Sequence, residues 1–222
     1  MMKLARADRD FILLHAFFGF CVLFVLNASI LPLGWRITAL VIFYNLLLPA
    51  FARAVRYEGW FELWTYLLPL SLLMILPDWF LADALGVLVF PDTGAPFIGP
   101  IPVFMGGMWV IPFFIIIYIG RRFRGRRAPY LAGLASAVIF LASEATLWRL
   151  PIWMAQNVAQ VAHIAWYLVI PLTLLGVFAL WGFEWSLGKS LWHKLAAGFV
   201  VMITYIGNTG LFYLLVERIP LA

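Results

Sequence analysis

Five polar side chains, four of them titratable, lie within or beside otherwise apolar stretches of this chain: Asp78, Asp83, Glu144, His163 and Asn208. A carboxylic acid enclosed by apolar side chains favours its neutral form, because desolvation disfavours the anion, and it then becomes a strong hydrogen-bond donor. A histidine, amide or second carboxylate beside it can orient or reprotonate it. Such a set suits proton-initiated chemistry on a lipophilic substrate, with Asp83 or Glu144 as the donor and His163, Asn208 or Asp78 in support. The plainer role is hydrogen bonding that pins helices together, for example Glu144 to Asn208 or Thr209. Glu62 stands apart. It precedes Asp78 by sixteen residues, about 24 Å along a helix, so the two cannot hold one small reacting centre. Of the eleven tryptophans, most read as interfacial belts. Trp109, Trp148, Trp153 and Trp166 lie nearer the level of the acids, where ring faces can stabilise a cation.

The elements that must position these residues follow from composition. Of 222 residues, 65% are hydrophobic and 11% charged, with a mean hydropathy of +1.01. A water-soluble chain of this size could not hide that much apolar surface, which excludes a soluble enzyme or a nucleic-acid reader. The single cysteine, Cys21, excludes an internal disulfide framework, and three histidines are too few for a histidine-caged di-iron centre. Asp78, Asp83, Glu144 and His163 have suitable ligand types for a metal but no supporting spacing, so neither metal nor other cofactor is expected. Because lipid offers the backbone no hydrogen-bond partner, long continuous apolar runs must be helices. The expected class is all-α: one polytopic membrane domain, 1–222, with seven transmembrane helices near 11–33, 37–52, 60–77, 101–119, 129–149, 158–183 and 195–216. The only lysines, Lys3, Lys189 and Lys194, fall outside the expected last span, which argues against a retinal protein.

Charge tests the count of spans, since cytoplasmic loops carry the Lys and Arg. With the N-terminus inside, twelve basic residues fall on the cytoplasmic side, including Lys3, Arg124 and the rest of the RRFRGRR tract, against Arg36, Arg149 and Arg218 outside. The expectation is N-in and C-out, in a bacterial inner membrane. Between helices 3 and 4 the stretch 77–102 holds three aspartates, five prolines and three glycines. It cannot be one straight helix, and a Pro/Gly-rich re-entrant or outer loop is expected, either a lid over a pocket or a simple connection.

Part of that loop carries a resemblance. The tract Asp83-Ala84-Leu85-Gly86-Val87-Leu88-Val89-Phe90-Pro91, continuing to Ile98-Gly99-Pro100-Ile101-Pro102, resembles the small membrane-embedded isoprenoid cyclases of the lycopene-cyclase-domain and Pyr4-like terpene cyclase type. Trp60 and Glu62 loosely match an early Trp/Glu pair of the latter. Val103-Phe104-Met105 follows Pro102 where the lycopene-cyclase pattern has two acids. The resemblance implies acid-triggered cyclisation or isomerisation of a terpene or carotenoid without metal, with Glu62 among the catalytic acids. The expected partners are a lipophilic small-molecule substrate, membrane lipids and an oligomeric or complex partner, with no nucleic acid. A non-catalytic membrane subunit or lipid-binding scaffold, and a proton-coupled transporter, are the rival readings.

Overall fold

The computed structural model describes residues 6–123 and 125–219. Lys3 and Arg124, counted above on the basic side, lie outside the described residues. Among the described residues, seven helices are long and apolar enough to cross a membrane: α1 Arg6–Asn27, α2 Leu33–Ala54, α3 Glu58–Ala84, α4 Met105–Arg122, α5 Arg127–Leu147, α6 Trp166–Ser186 and α7 Leu191–Arg218. The all-α class follows directly from them. Short strands occupy the connections: β1 Leu88–Val89, β2 Phe97–Ile98, β3 Ile101–Pro102, β4 Met154–Ala155, β5 Gln160–Val161 and β6 Ile164–Ala165.

Of the boundaries that differ from the sequence expectation, three change which residues the helices carry toward the site or the ion pairs. α3 does not stop at residue 77 but runs to Ala84 through a turn at Met74 and a π-helical turn, Phe80–Ala84. Pro77 sits just after the break at Met74, in the opening turn of a new helical piece, where its missing N–H costs little. α6 begins at Trp166 rather than 158, because 160–165 form the β5–β6 hairpin, with Gln160 opposite Ala165. α7 begins at Leu191, which puts Lys194 inside the last helix and buries it.

α4, α5, α6 and α7 pack in sequence, and α7 returns to α3, which also touches α4, closing a five-helix ring; α2 lies on α3, and α1 on α2. Small residues permit the tightest crossing: a Cβ on Gly176 of α6 would lie 2.4 Å from the Ser136 Cβ of α5. Ser136 Oγ donates to the Leu172 carbonyl at 2.6 Å across the same seam. The interior is filled by Tyr66, Leu67 and Leu70 of α3, Phe113, Ile116 and Ile117 of α4, and Leu175, Leu180 and Phe183 of α6.

The bundle has two chemically distinct ends. At the basic end, Arg122 pairs with Asp8, the Tyr57 hydroxyl donates to Asp10 at 2.8 Å, and the Gly188 N–H donates to Glu62. At the strand end, β1 pairs antiparallel with β4, Leu88 opposite Ala155, and β2 with β3, Phe97 opposite Pro102. The Gly34 N–H donates to the Thr93 carbonyl at 2.8 Å, and the Ala159 N–H to the Glu217 carboxylate at 3.1 Å. The stretch 77–102 therefore divides into the end of a helix and a strand-bearing connection tied to the α5–α6 connection.

Candidate functional site

Asp78 lies one helical turn beyond Met74 on the inner face of α3 and is 4% exposed. Trp109, near the start of α4, donates its Nε1–H to Asp78 Oδ2 at 3.1 Å. The Trp109 ring is surrounded by other rings, with centroids 5.2 Å from Phe140, 5.7 Å from Phe113 and 6.4 Å from Tyr205. Glu144 is half-buried on α5, and Trp153 donates its Nε1–H to Glu144 Oε1 at 3.0 Å. Trp153 reaches that position because β4, which follows it directly, is held against β1. The two acids are thus seated by the same device, an indole N–H on one carboxyl oxygen. Among the described residues no Lys, Arg or His forms an ion pair with either.

Asp78 and Glu144 lie within electrostatic reach of each other, and the Tyr205 hydroxyl is within reach of both and of Tyr167. Ser71 Oγ on α3 is buried without a hydrogen-bond partner among the described residues, and Thr209 Oγ1 has none there beyond the Tyr205 hydroxyl beside it. Ser71 is seven residues before Asp78, on the far side of the break at Met74. Buried polar groups are ordinarily satisfied, so the Ser71 hydroxyl is free to bond a polar group further along the bundle interior from the acids.

The remaining expected site residues are placed elsewhere. Asp83 is exposed on the π-helical turn. His163 is not on α6: it occupies the β5–β6 turn with φ 66°, exposed, its ring stacked 4.3 Å from that of Trp148. The Asn208 amide donates along its own helix to the Thr204 carbonyl at 2.8 Å. Glu62 sits at the basic end, 3.7 Å from the Lys194 Nζ, as an ion pair linking α3 to α7. Of the four tryptophans, Trp109 and Trp153 contact the acids. Trp148 donates to the Ala145 carbonyl at 3.0 Å, and Trp166 is 54% exposed. The shared polar level therefore contains two acids, two indoles and two buried tyrosines, in place of five groups from five positions. Tyr205, Tyr167 and Ser71 escaped the sequence reading. Tyr205 had a usable signal, since it lies four residues before Thr209 on one face of the same helix. No group of three or more His, Cys, Asp or Glu poised to hold a metal ion occurs among the described residues.

Fold and site together define a seven-helix bundle of membrane-spanning length with an indole-held carboxyl pair at one end. Residues 75–216 match the domain family DUF6989, a domain of unknown function, and the chain belongs to that family. Its matched region begins just before Asp78 and takes in Trp109, Glu144, Trp153, Tyr167 and Tyr205. No curated protein and no solved structure matches the chain.

Proposed function

We propose that this protein is a membrane-embedded enzyme that acts on a lipophilic isoprenoid, of terpene or carotenoid type, by acid-initiated cyclisation or isomerisation. The observation that carries the reading is the Asp78 and Glu144 pair, two carboxyls within electrostatic reach of each other and without a countercation among the described residues, each held by an indole, with aromatic rings packed around the indole on Asp78. One carboxylic acid adds its proton to an alkene carbon; the cation that results is stabilised by the Trp109, Phe113 and Phe140 faces. Loss of a proton from a neighbouring carbon to the other carboxylate regenerates an alkene, so the substrate is isomerised with no net gain or loss of atoms. In the indole-bonded geometry, Asp78 Oδ1 is the oxygen free to carry the proton. The basic end faces the cytoplasm, as charge placement favours, and the reacting centre lies in the opposite half of a cell membrane.

Purified protein in lipid nanodiscs, incubated with polyprenols, carotenes and epoxy-terpenoids, should yield an isomer of one substrate by chromatography and mass spectrometry. Asp78→Asn and Glu144→Gln should each lower that turnover by about 100-fold or more, the range of general acid–base catalysis. Absence of turnover across the panel, or turnover untouched by both substitutions, overturns the proposal. A non-catalytic subunit is the second reading, favoured by the fact that the same indole bonds tie α3 to α4 and α5 to its following loop. On that reading Asp78→Asn lowers stability and no isomer forms.

A further inference from the structure

The basic end contains a cavity of about 600 Å³, bounded by the starts of α1, α3 and α5 and the ends of α4 and α6. Its volume is that of an ordinary small-molecule site, which spans about 300–1,000 Å³. Trp60, Tyr118, Arg121, Arg122, Trp181 and Glu184 supply its chemistry. Arg122 is committed to Asp8, which also accepts from the Tyr118 hydroxyl at 2.8 Å. Arg121 is not committed: its guanidinium rests 5.0 Å above the Phe183 ring and pairs with no carboxylate among the described residues. Glu184 likewise makes no ion pair there. One cation and one anion therefore line the same space without neutralising each other.

A second, apolar groove of about 350 Å³ runs between α6 and α7, lined by Phe178, Gly182, Trp185, Ala197 and Val201. Trp181 borders both spaces and is 51% exposed. A molecule with a doubly charged polar head and an apolar chain would pass from one to the other across the Trp181 indole.

We propose that this composite site holds one zwitterionic phospholipid bearing a primary ammonium. Its phosphate sits on Arg121, its ammonium on Glu184 and the face of Trp181, and one acyl chain lies in the α6–α7 groove. Guanidinium–phosphate and ammonium–carboxylate contacts are charge-assisted hydrogen bonds, the stronger kind. A net-negative headgroup would set its phosphate on Arg121 but leave Glu184 unanswered, and a quaternary ammonium could give Glu184 no N–H. The site is separate from the Asp78 and Glu144 pair, so its test does not depend on turnover.

Native mass spectrometry of the full chain with added phosphatidylethanolamine, phosphatidylcholine or phosphatidylglycerol reads the preference. The expected result is a single saturable phosphatidylethanolamine adduct, retained about tenfold better than the other two, and loss of roughly that preference on Glu184→Gln. Arg121→Gln should weaken all three. Gly59→Trp fills the cavity from a position where a Cβ meets nothing within 4 Å, and should abolish the adduct. Equal retention of the three lipids by the unaltered protein overturns the proposal, as does an unchanged preference in Glu184→Gln. That change of preference requires a folded protein and so decides the matter even should Gly59→Trp fail to fold.

Discussion

The indole is the residue-scale device on which the acid pair depends. Trp109→Phe keeps an aromatic ring in place but withdraws the only donor to Asp78 among the described residues. A buried group stripped of its partner costs about 1–3 kcal/mol, so this variant should unfold at correspondingly lower denaturant in detergent. Trp153→Phe should lose less, because both Trp153 and Glu144 are only half-buried. His163→Ala provides the contrast: its ring rests on Trp148 outside the helices, and any isomerase activity should stay within about threefold of the parent, small against general acid–base effects. An equal collapse in His163→Ala and Glu144→Gln would return His163 to the site. The reason it could not be placed from sequence is local. The β5–β6 turn puts Ala162 at φ 52° and His163 at φ 66°, left-handed values that usually announce themselves through glycine or asparagine. With neither present, the apolar run beyond it reads as helix. Asp78 and Glu144 were legible because an acid in an apolar run is costly wherever it falls. Their partners were legible only as two of four, Trp109, Trp148, Trp153 and Trp166, because eleven tryptophans offer no spacing that separates those that bond an acid from those that do not.

Elements meet most closely where side chains are smallest, and the seams make opposite predictions for two glycines. At Gly176 an added methyl would meet Ser136 Cβ at 2.4 Å and the Ala132 carbonyl oxygen at 2.7 Å. Relieving that overlap must push α6 from α5, and overpacking of this kind costs about 1–3 kcal/mol. Gly59→Ala adds its methyl to open space in the first turn of α3, where alanine is the better helix former by up to about 1 kcal/mol. Tryptophan-fluorescence melts should rank Gly176→Ala below the parent and Gly59→Ala level with or above it; the reverse order would mean that the α5–α6 crossing is misplaced. Helix number was readable at this scale because seven apolar runs admit little else. Two ends were not. α3 outruns Pro77 because the helix breaks at Met74 and restarts, so the proline falls where an opening turn accepts it. Lys194 enters α7 because Glu62 and the Thr65 hydroxyl, at 3.7 and 2.7 Å, supply its partners on α3. Those partners lie 132 and 129 residues away in sequence, where helical periodicity gives no hint of them.

At the scale of the whole molecule, the two ends differ in charge as well as in architecture. Arg6, Arg9, Arg53, Arg56, Arg121, Arg122, Arg126, Arg127, Lys189 and Lys194 belong to the basic end, and Arg36, Arg149 and Arg218 to the strand end. The exceptions are partly spent on local bonds. Arg36 donates to the Leu26 and Ala28 carbonyls at the close of α1, and Arg218 Nε donates to the Tyr213 hydroxyl at 2.9 Å. A guanidinium set on the carbonyls that end a helix is favourably placed against the helix dipole, so Arg36 carries a local reason for standing on that side. Positively charged loops are retained on the cytoplasmic face, and this bias predicts the N-terminus inside and the strand end outside. Single cysteines placed in a Cys21→Ala background test that orientation at two exposed positions, Ser190 between α6 and α7 and Gln160 in the β5–β6 hairpin. In intact cells a membrane-impermeant maleimide should label Gln160→Cys at once and Ser190→Cys only after permeabilisation. Labelling in the opposite order would put the Asp78 and Glu144 pair in the cytoplasmic half of the bilayer and the Arg121 cavity in the outer one. The phospholipid proposed for that cavity would then have to come from the outer leaflet, and the lipophilic substrate would have to enter from the inner one.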